Sequence, residues 1–307
     1  QLYILVLAAT TRLLGTSEFA LRFPSVAFSI LLVPLLYVLG RRLYGDAAGR
    51  LAALMGALSP MYLWYSQEAR MYVMAPFLAL LSFYSLLRAL DHQTSLRRRW
   101  SLVYIVATAS MLLTHYLTFF VLAVEMLVAL LVAIRSSRLR RLSLPLGFVL
   151  VMAAGVLLYA LSVVPPPQPE GGFSFVPLPI LARDVLNSFS LGLSVNIDDV
   201  IFVDVLFLLV VLSGLIAVPT HHRGALLPPA LLLLLYLVVP FSLTYLAGYV
   251  RPVYMNSRHL IVITPAFYLA LGAGLAAISP RRGLFLATMA ALLIGIGFSW
   301  GQYFNNS

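Results

Sequence analysis

Long apolar runs separated by short polar segments dominate the chain, and this pattern predicts about ten membrane-spanning helices. Each run is roughly twenty residues long, the length at which a helix crosses a bilayer. Apolar and polar residues do not alternate within the runs, which favours helices over a transmembrane β-barrel. The predicted spans cover approximately 23–40, 47–65, 70–90, 101–116, 117–134, 144–164, 200–218, 226–248, 259–278 and 284–300.

Two further segments complete a predicted single transmembrane domain over residues 1–307. The apolar segment from Leu2 to Leu14 is short for a span, so we expect residues 1–15 to form an interfacial helix on the membrane surface. The longest connection, 165–199, begins with three consecutive prolines and should start as an extended segment. Its middle part, 178–193, could hold a short amphipathic helix.

The composition supports a protein whose solvent is the bilayer. Hydrophobic residues make up 62% of the chain and charged residues only 10%, and the mean hydropathy is +0.99. Soluble domains lie near half apolar and about a quarter charged. The chain contains no cysteine, which excludes disulfides and thiolate metal sites.

The net charge of +10 indicates membrane topology rather than nucleic-acid binding, because the arginines cluster between the apolar runs. The positive-inside rule places five Arg-bearing connections in the cytoplasm. A single span over 101–134 would put Arg135 on the opposite side, so we predict two short helices joined at His115-Tyr116. The five connections contain 14 of the 20 arginines: 41, 42, 50, 88, 97, 98, 99, 135, 138, 140, 141, 223, 281 and 282.

Four clusters of polar and aromatic residues fall on the predicted extra-cytoplasmic side. In the first, Glu18 and Arg22 are four residues apart, so one helical turn would pair them, and a simple ion pair at the helix start explains them equally well. The second is the short turn in the run SPMYLWYSQEARMY, residues 59–72. An aromatic belt accounts for its rings, but not for Glu68 and Arg70, and charges at membrane depth are functional candidates.

The third cluster, Thr114-His115-Tyr116, lies at the tip of the short helix pair. A lone histidine is more often structural than functional. Glu125 is different, because it lies in the middle of an apolar run, where it could pair within the bundle or mark a proton path.

The fourth cluster, residues 251–259, leads directly into a predicted span. It contains Arg251, Tyr254, Arg258 and His259. Arginine suits phosphate because its planar guanidinium donates two parallel hydrogen bonds. This cluster could therefore hold an anionic group at the membrane boundary.

These residues also carry a resemblance to a known family. The run SEFALRFPSVAFSILLVPLLYVLGRRLYGDAAGRLAALMGALSPMYLWYSQEARMY, residues 17–72, resembles the polytopic GT-C glycosyltransferases, in the branch of protein O-mannosyltransferases and aminoarabinose transferases. The THY of residues 114–116 and the run SRHLIVITPAFYLALGAGL from Ser257 are similar to later elements of that branch. The resemblance covers most of the first 135 residues and recurs near 250–278.

The resemblance implies a multi-pass enzyme of the cell membrane that transfers a sugar from a polyprenyl-phosphate carrier to an extra-cytoplasmic acceptor. A carboxylate activates the acceptor, the anomeric carbon inverts, and the lipid phosphate leaves. We expect Arg258 to bind the donor phosphate, with Arg251 and Arg22 as further candidates. The expected sugar or acceptor site comprises Glu68, Arg70, Tyr72, His115, Tyr116, Tyr254 and His259.

The sequence departs from the family at its start. The family's catalytic aspartate lies in the first outer loop, ahead of the segment matching Leu2–Leu14, so we expect it upstream of Gln1. The first span and first outer loop are expected to be missing, and this chain by itself should be inactive. The sequence shows no His/Asp cluster with metal-ligand spacing, and dependence on a divalent metal is left open.

Two other interpretations remain open at this stage. The chain could be a non-catalytic accessory subunit of a larger membrane complex. It could also be a transporter or flippase, for which Glu125 and the number of spans are the support. The partners expected from the sequence are membrane lipid and a polyprenyl-phosphate sugar, with no nucleic acid.

Overall fold

The chain is all-helical throughout the part that the computed structural model describes, which is residues 2–91, 96–135, 146–147, 149–151, 153–154, 175–218, 227–250, 254 and 256–305. The predicted all-α polytopic class is confirmed. The helices are α1 (Leu2–Leu14), α2 (Glu18–Tyr44), α3 (Asp46–Ala57), α4 (Pro60–Ser66), α5 (Met74–Leu90), α6 (Arg97–Thr114), α7 (Thr118–Arg135), α8 (Leu178–Ser190), α9 (Ile197–Ile216), α10 (Pro229–Val250), the 3₁₀ helix η1 (Ser257–Ile263), α11 (Thr264–Ile278) and α12 (Arg282–Asn305).

Six helical stretches in the described residues are long and apolar enough to cross a membrane. Nine of the ten predicted spans coincide with helix, and the predicted span 144–164 lies mostly outside the described residues. The six stretches are Glu18–Tyr44, Thr118–Arg135, Ile197–Ile216, Pro229–Tyr249, Ser257–Ile278 and Arg282–Asn305.

The predicted span 47–65 is not continuous. Helix α3 ends at Ala57, and α4 begins at Pro60 with Ser59 as its cap. Proline is well suited to the first turn of a helix because it has no N–H to satisfy. The Ser59 hydroxyl accepts a hydrogen bond from the amide of Tyr62, which fixes the start of the new helix.

The predicted turn between two short helices is confirmed. Helix α6 ends at Thr114 and α7 begins at Thr118. His115 has extended backbone angles, φ −146° and ψ 133°, which stop α6. The hydroxyl of Thr118 donates to the carbonyl oxygens of Met111 and His115, at 2.9 and 2.6 Å, and so bridges the two helices.

Helix α11 forms the centre of the bundle, packed between α3 and α9. Small residues allow the close approach that membrane helices use in place of a hydrophobic driving force. A Cβ built on Gly272 would lie 2.5 Å from the backbone nitrogen of Ala52. Gly214 and Gly274 make similarly close backbone contacts between α9 and α11.

Two polar contacts mark the opposite ends of the bundle. At one end, Arg42 donates to Asp91 at 2.7 Å, joining two of the Arg-rich connections. At the other end, the hydroxyl of Ser25 bonds to the carbonyl oxygens of Glu68 and Arg70, at 2.7 and 3.2 Å. The turn at Glu68 is therefore fixed against the start of α2, away from the Arg-rich end.

Candidate functional site

Six of the residues predicted for the site lie together at the end of the bundle opposite the Arg42–Asp91 pair. They come from three separate parts of the chain: the connection before α5, the turn between α6 and α7, and the segment that leads into η1. We call this group the Arg258 cluster; its members are Tyr72, His115, Tyr116, Tyr254, Arg258 and His259.

Arg258 is partly buried at the start of η1, where its guanidinium lies over an aromatic ring. Its Cζ atom is 5.7 Å from the ring centroid of Tyr72, within the range of a cation–π contact. The Tyr72 ring in turn packs against Tyr65, with centroids 4.9 Å apart. This contact holds the arginine in one place while its side chain keeps some exposure to solvent.

His115 is almost fully buried, with 3% of its surface exposed. Its ring stacks on that of Tyr116 at 4.9 Å and 17°, and its Nδ1 atom accepts a hydrogen bond from the amide of Leu117 at 3.2 Å. Burial lowers the pKa of His115 to about 3, and the nearby His259 adds to the effect. The ring is therefore neutral, and the amide bond at Nδ1 places its proton on Nε2.

His259 connects the parts of the cluster. Its ring centroid lies 6.3 Å from that of His115 and 6.2 Å from each of Tyr116 and Tyr254. His259 and Tyr254 are buried, whereas 48% of Tyr116 is exposed. Tyr116 therefore offers an open ring face beside the buried histidines.

Glu68 and Arg70 lie at the edge of the cluster, in the turn held by Ser25. Their side chains are 3.9 Å apart, and the indole N–H of Trp64 donates to the other carboxylate oxygen of Glu68 at 3.1 Å. Burial raises the pKa of the Tyr65 hydroxyl, and the charge of Glu68 raises it further while that of Arg258 lowers it. The carboxylate is therefore within electrostatic reach of the same tyrosine as the arginine.

The two other arginines predicted to bind phosphate, Arg22 and Arg251, are not among the members of the Arg258 cluster as described. Arg22 pairs with Glu18 at 2.5 Å, as the four-residue spacing predicted, on the exposed start of α2. Arg251 lies outside the described residues. Within the described ranges, no group of three or more His, Cys, Asp or Glu side chains is placed to hold a metal ion.

Two further acidic residues, Glu125 and Asp184, lie outside the predicted site. Glu125 is fully buried in α7, beside the hydroxyls of Ser82 and Tyr104. Asp184, on α8, accepts a hydrogen bond from Tyr254 of the cluster. The predicted helix over 178–193 is present, but the sequence pattern could not show that it faces the Arg258 cluster.

Comparisons with known proteins agree with this architecture. The chain resembles the crystal structure of ArnT from Cupriavidus metallidurans in the apo state, with 18% identity and a TM-score of 0.65 over 94% of this chain and 51% of that one. It also resembles the structure of ArnT from the same organism bound to undecaprenyl phosphate, with 19% identity and a TM-score of 0.61 over 94% and 52% of the respective chains.

The chain thus spans about half the length of these solved structures. No curated protein matches it. The family model described as dolichyl-phosphate-mannose-protein mannosyltransferase matches residues 2–162, which is more than half of the chain. The chain belongs to this family of GT-C membrane glycosyltransferases, as the resemblance of residues 17–72 predicted.

Proposed function

We propose that this chain forms the donor-binding part of a glycosyltransferase that takes a sugar from a polyprenyl-phosphate carrier and transfers it to an acceptor on the extra-cytoplasmic side of the membrane. The observation that carries the proposal is the position of Arg258. It is held by an aromatic ring, at the end of an apolar bundle, among the other predicted site residues.

The phosphate of the carrier would bind to the guanidinium of Arg258. A guanidinium can donate two parallel hydrogen bonds to a phosphate, and it keeps its charge in partly buried surroundings. The charge on this phosphate grows as the sugar leaves, so a fixed cation stabilises the transition state more than the ground state. From the family resemblance, Arg22 and Arg251 are proposed as further cations for the donor phosphate; Arg22 would have to exchange its Glu18 partner for the phosphate.

The sugar would lie against the rings of the Arg258 cluster. Tyr116 is half-exposed and can stack on the apolar face of a sugar, while Tyr72 and Tyr254 are held in place behind it. The neutral His115 is a hydrogen-bond donor through Nε2. Glu68 and Arg70 are proposed to contact hydroxyl groups of the sugar or of the acceptor.

The reaction follows from the family resemblance. A carboxylate removes the proton of the acceptor hydroxyl, the acceptor oxygen bonds to the anomeric carbon with inversion, and the bond from that carbon to the phosphate oxygen breaks. The family resemblance assigns this base to an aspartate.

Sugar transfer by the natural protein that contains this sequence tests the proposal. The protein is reconstituted in liposomes with a polyprenyl-phosphate sugar and a mixture of lipid, glycan and peptide acceptors, and release of the free polyprenyl phosphate is measured. We expect the wild type to turn over the donor. The turnover rate should fall about a hundredfold in Glu68→Gln and in Arg258→Gln, because each substitution removes one positioned charge that contacts a reacting group. Donor binding without turnover would instead favour the accessory-subunit function.

A further inference from the structure

A chain of hydrogen bonds joins helix α8 to the segment that carries Arg258. The hydroxyl of Ser257 donates to Ser188 Oγ at 2.6 Å, and Ser188 Oγ donates to Asp184 Oδ1 at 3.5 Å. The hydroxyl of Tyr254 donates to the other oxygen, Asp184 Oδ2. Both oxygens of one carboxylate are therefore engaged, Oδ2 by Tyr254 directly and Oδ1 by Ser257 through Ser188.

The spacing on α8 explains how one face can make both contacts. Asp184 and Ser188 are four residues apart and lie on the same side of the helix. The Ser257–Ser188 bond is buried, whereas the two bonds to Asp184 are part-buried. A hydrogen bond shielded from water fixes geometry more strongly than an exposed one.

The segment held by Asp184 carries Arg258 and His259 of the proposed donor site. Ser257 directly precedes Arg258, and the ring of Tyr254 packs edge-on against His259, with centroids 6.2 Å apart. The carboxylate of Asp184 therefore contacts this segment through Tyr254 directly and through Ser188 to Ser257.

We propose that Asp184 is a positioning residue for donor-phosphate recognition: through Tyr254, Ser188 and Ser257 it sets the orientation of Arg258 and His259. The inference rests on the proposed function, because it assigns a role in the same site. Asp184 itself carries the same charge as the phosphate, so it acts on the donor through its partners.

Helix α8 has other attachments, so loss of the Asp184 contacts should leave it docked. The hydroxyl of Tyr268 donates to the carbonyl oxygen of Phe189 at 2.8 Å. Ser190 of α8 donates to Asp204 on α9 in a buried serine–aspartate contact, and Ser190, two residues beyond Ser188, projects from a different side of α8. The Ser190–Asp204 pair is therefore a matched control for the Asp184 contacts.

The test is the affinity of the purified chain in detergent for undecaprenyl phosphate, measured beside its thermal unfolding. Asp184→Asn and Tyr254→Phe should each weaken binding about tenfold, the usual size for one hydrogen bond to a charged group. The double variant should lose little more than either single variant, because both remove the same link. Asp204→Asn should lower the unfolding temperature and leave the affinity unchanged.

The inference is overturned if Asp184→Asn binds the lipid as tightly as the wild type does. It is also overturned if Asp184→Asn and Asp204→Asn lose affinity to the same extent for the same fall in unfolding temperature. Its failure can be told apart from failure of the proposed function. Suppose that the wild type binds undecaprenyl phosphate, that Arg258→Gln does not, and that Asp184→Asn binds normally. The proposed function then stands, and only the role of Asp184 is refuted. If Arg258→Gln binds as the wild type does, both proposals fall.

Discussion

The guanidinium of Arg258 lies over the ring of Tyr72, with its Cζ atom 5.7 Å from the ring centroid. The two residues are far apart in the sequence, and the contact depends on the turn before α5 meeting the start of η1. A cation held by a ring has fewer orientations to lose when an anion arrives, so the contact prepares Arg258 for a phosphate.

This contact predicts different results for two substitutions of Tyr72. Tyr72→Phe keeps the ring and should bind undecaprenyl phosphate within twofold of the wild type. Tyr72→Leu removes the ring and should weaken binding about fivefold, since a cation–π contact contributes about 1 kcal/mol. Titration of the purified chain with the lipid measures both. Equal affinity in all three proteins would show that the ring does not position the arginine.

The stability of the protein should depend on pH through His115. Burial lowers the pKa of His115 from 6.5 to about 3. At a pH between these two values, His115 is protonated in the unfolded chain but not in the folded chain. The stabilisation is complete above pH 6.5 and is lost progressively as the pH falls towards 3, by about 1.4 kcal/mol per pH unit.

His115→Gln should lack this dependence. Thermal unfolding is measured at pH 7.5 and at pH 5.5. Between these two pH values the free energy of unfolding should fall by about 1.4 kcal/mol more in the wild type than in the variant, because pH 5.5 lies one unit below the pKa of histidine in the unfolded chain. Parallel drops in the two proteins would mean that His115 is protonated in the folded state.

Glu125 should contribute to the packing of α7. Its fully buried side chain lies beside the hydroxyls of Ser82 and Tyr104, the first of which also bonds to Thr108 at 2.6 Å. Glu125→Gln preserves shape and polarity and should unfold close to the wild type. Glu125→Ala leaves a cavity and buried hydroxyls, and should lose about 2–3 kcal/mol of stability.

Donor binding of the same two variants tests whether Glu125 also acts in the site. Normal binding in both variants would mean that Glu125 has no part in donor binding, whereas loss of binding in Glu125→Gln would show that it has one.

The close approach of α3 and α11 predicts an effect of a single methyl group. Gly272→Ala places a Cβ about 2.5 Å from the backbone of Ala52, and backbone cannot move aside cheaply, so stability should fall by about 1–3 kcal/mol. Gly283→Ala on α12 is the control, because a Cβ there meets nothing within 4 Å. Similar unfolding temperatures for the two variants would contradict the packing of α11.

Much of this arrangement could be predicted from local sequence. The length of the apolar runs predicted the helices, and the alternation of Arg-rich connections predicted the turn at His115, because a single span there would have moved Arg135 to the other side. The Glu18–Arg22 pair followed from helical spacing alone. These features depend on residues close together in the chain.

Other features depend on contacts between distant segments, which a hydropathy pattern does not contain. The break at Ser59 was missed because the hydropathy of 47–65 is continuous, although Ser59-Pro60 is a recognisable helix start. Asp184 was missed because its helix could be predicted but the surface against which that helix packs could not. The Arg258–Tyr72 contact likewise needed the folded chain, although both residues had been singled out.

The most direct test of the proposed function compares the affinities of the purified chain for undecaprenyl phosphate and for undecaprenol, which has the same tail without the charge. We expect the wild type to prefer the phosphate by about a hundredfold, from two charged hydrogen bonds. Arg258→Gln should abolish this preference, and Arg282→Gln, at an exposed position of the Arg-rich set, should retain it. Equal affinity of the wild type for the two lipids, or an unchanged preference in Arg258→Gln, would contradict the proposal.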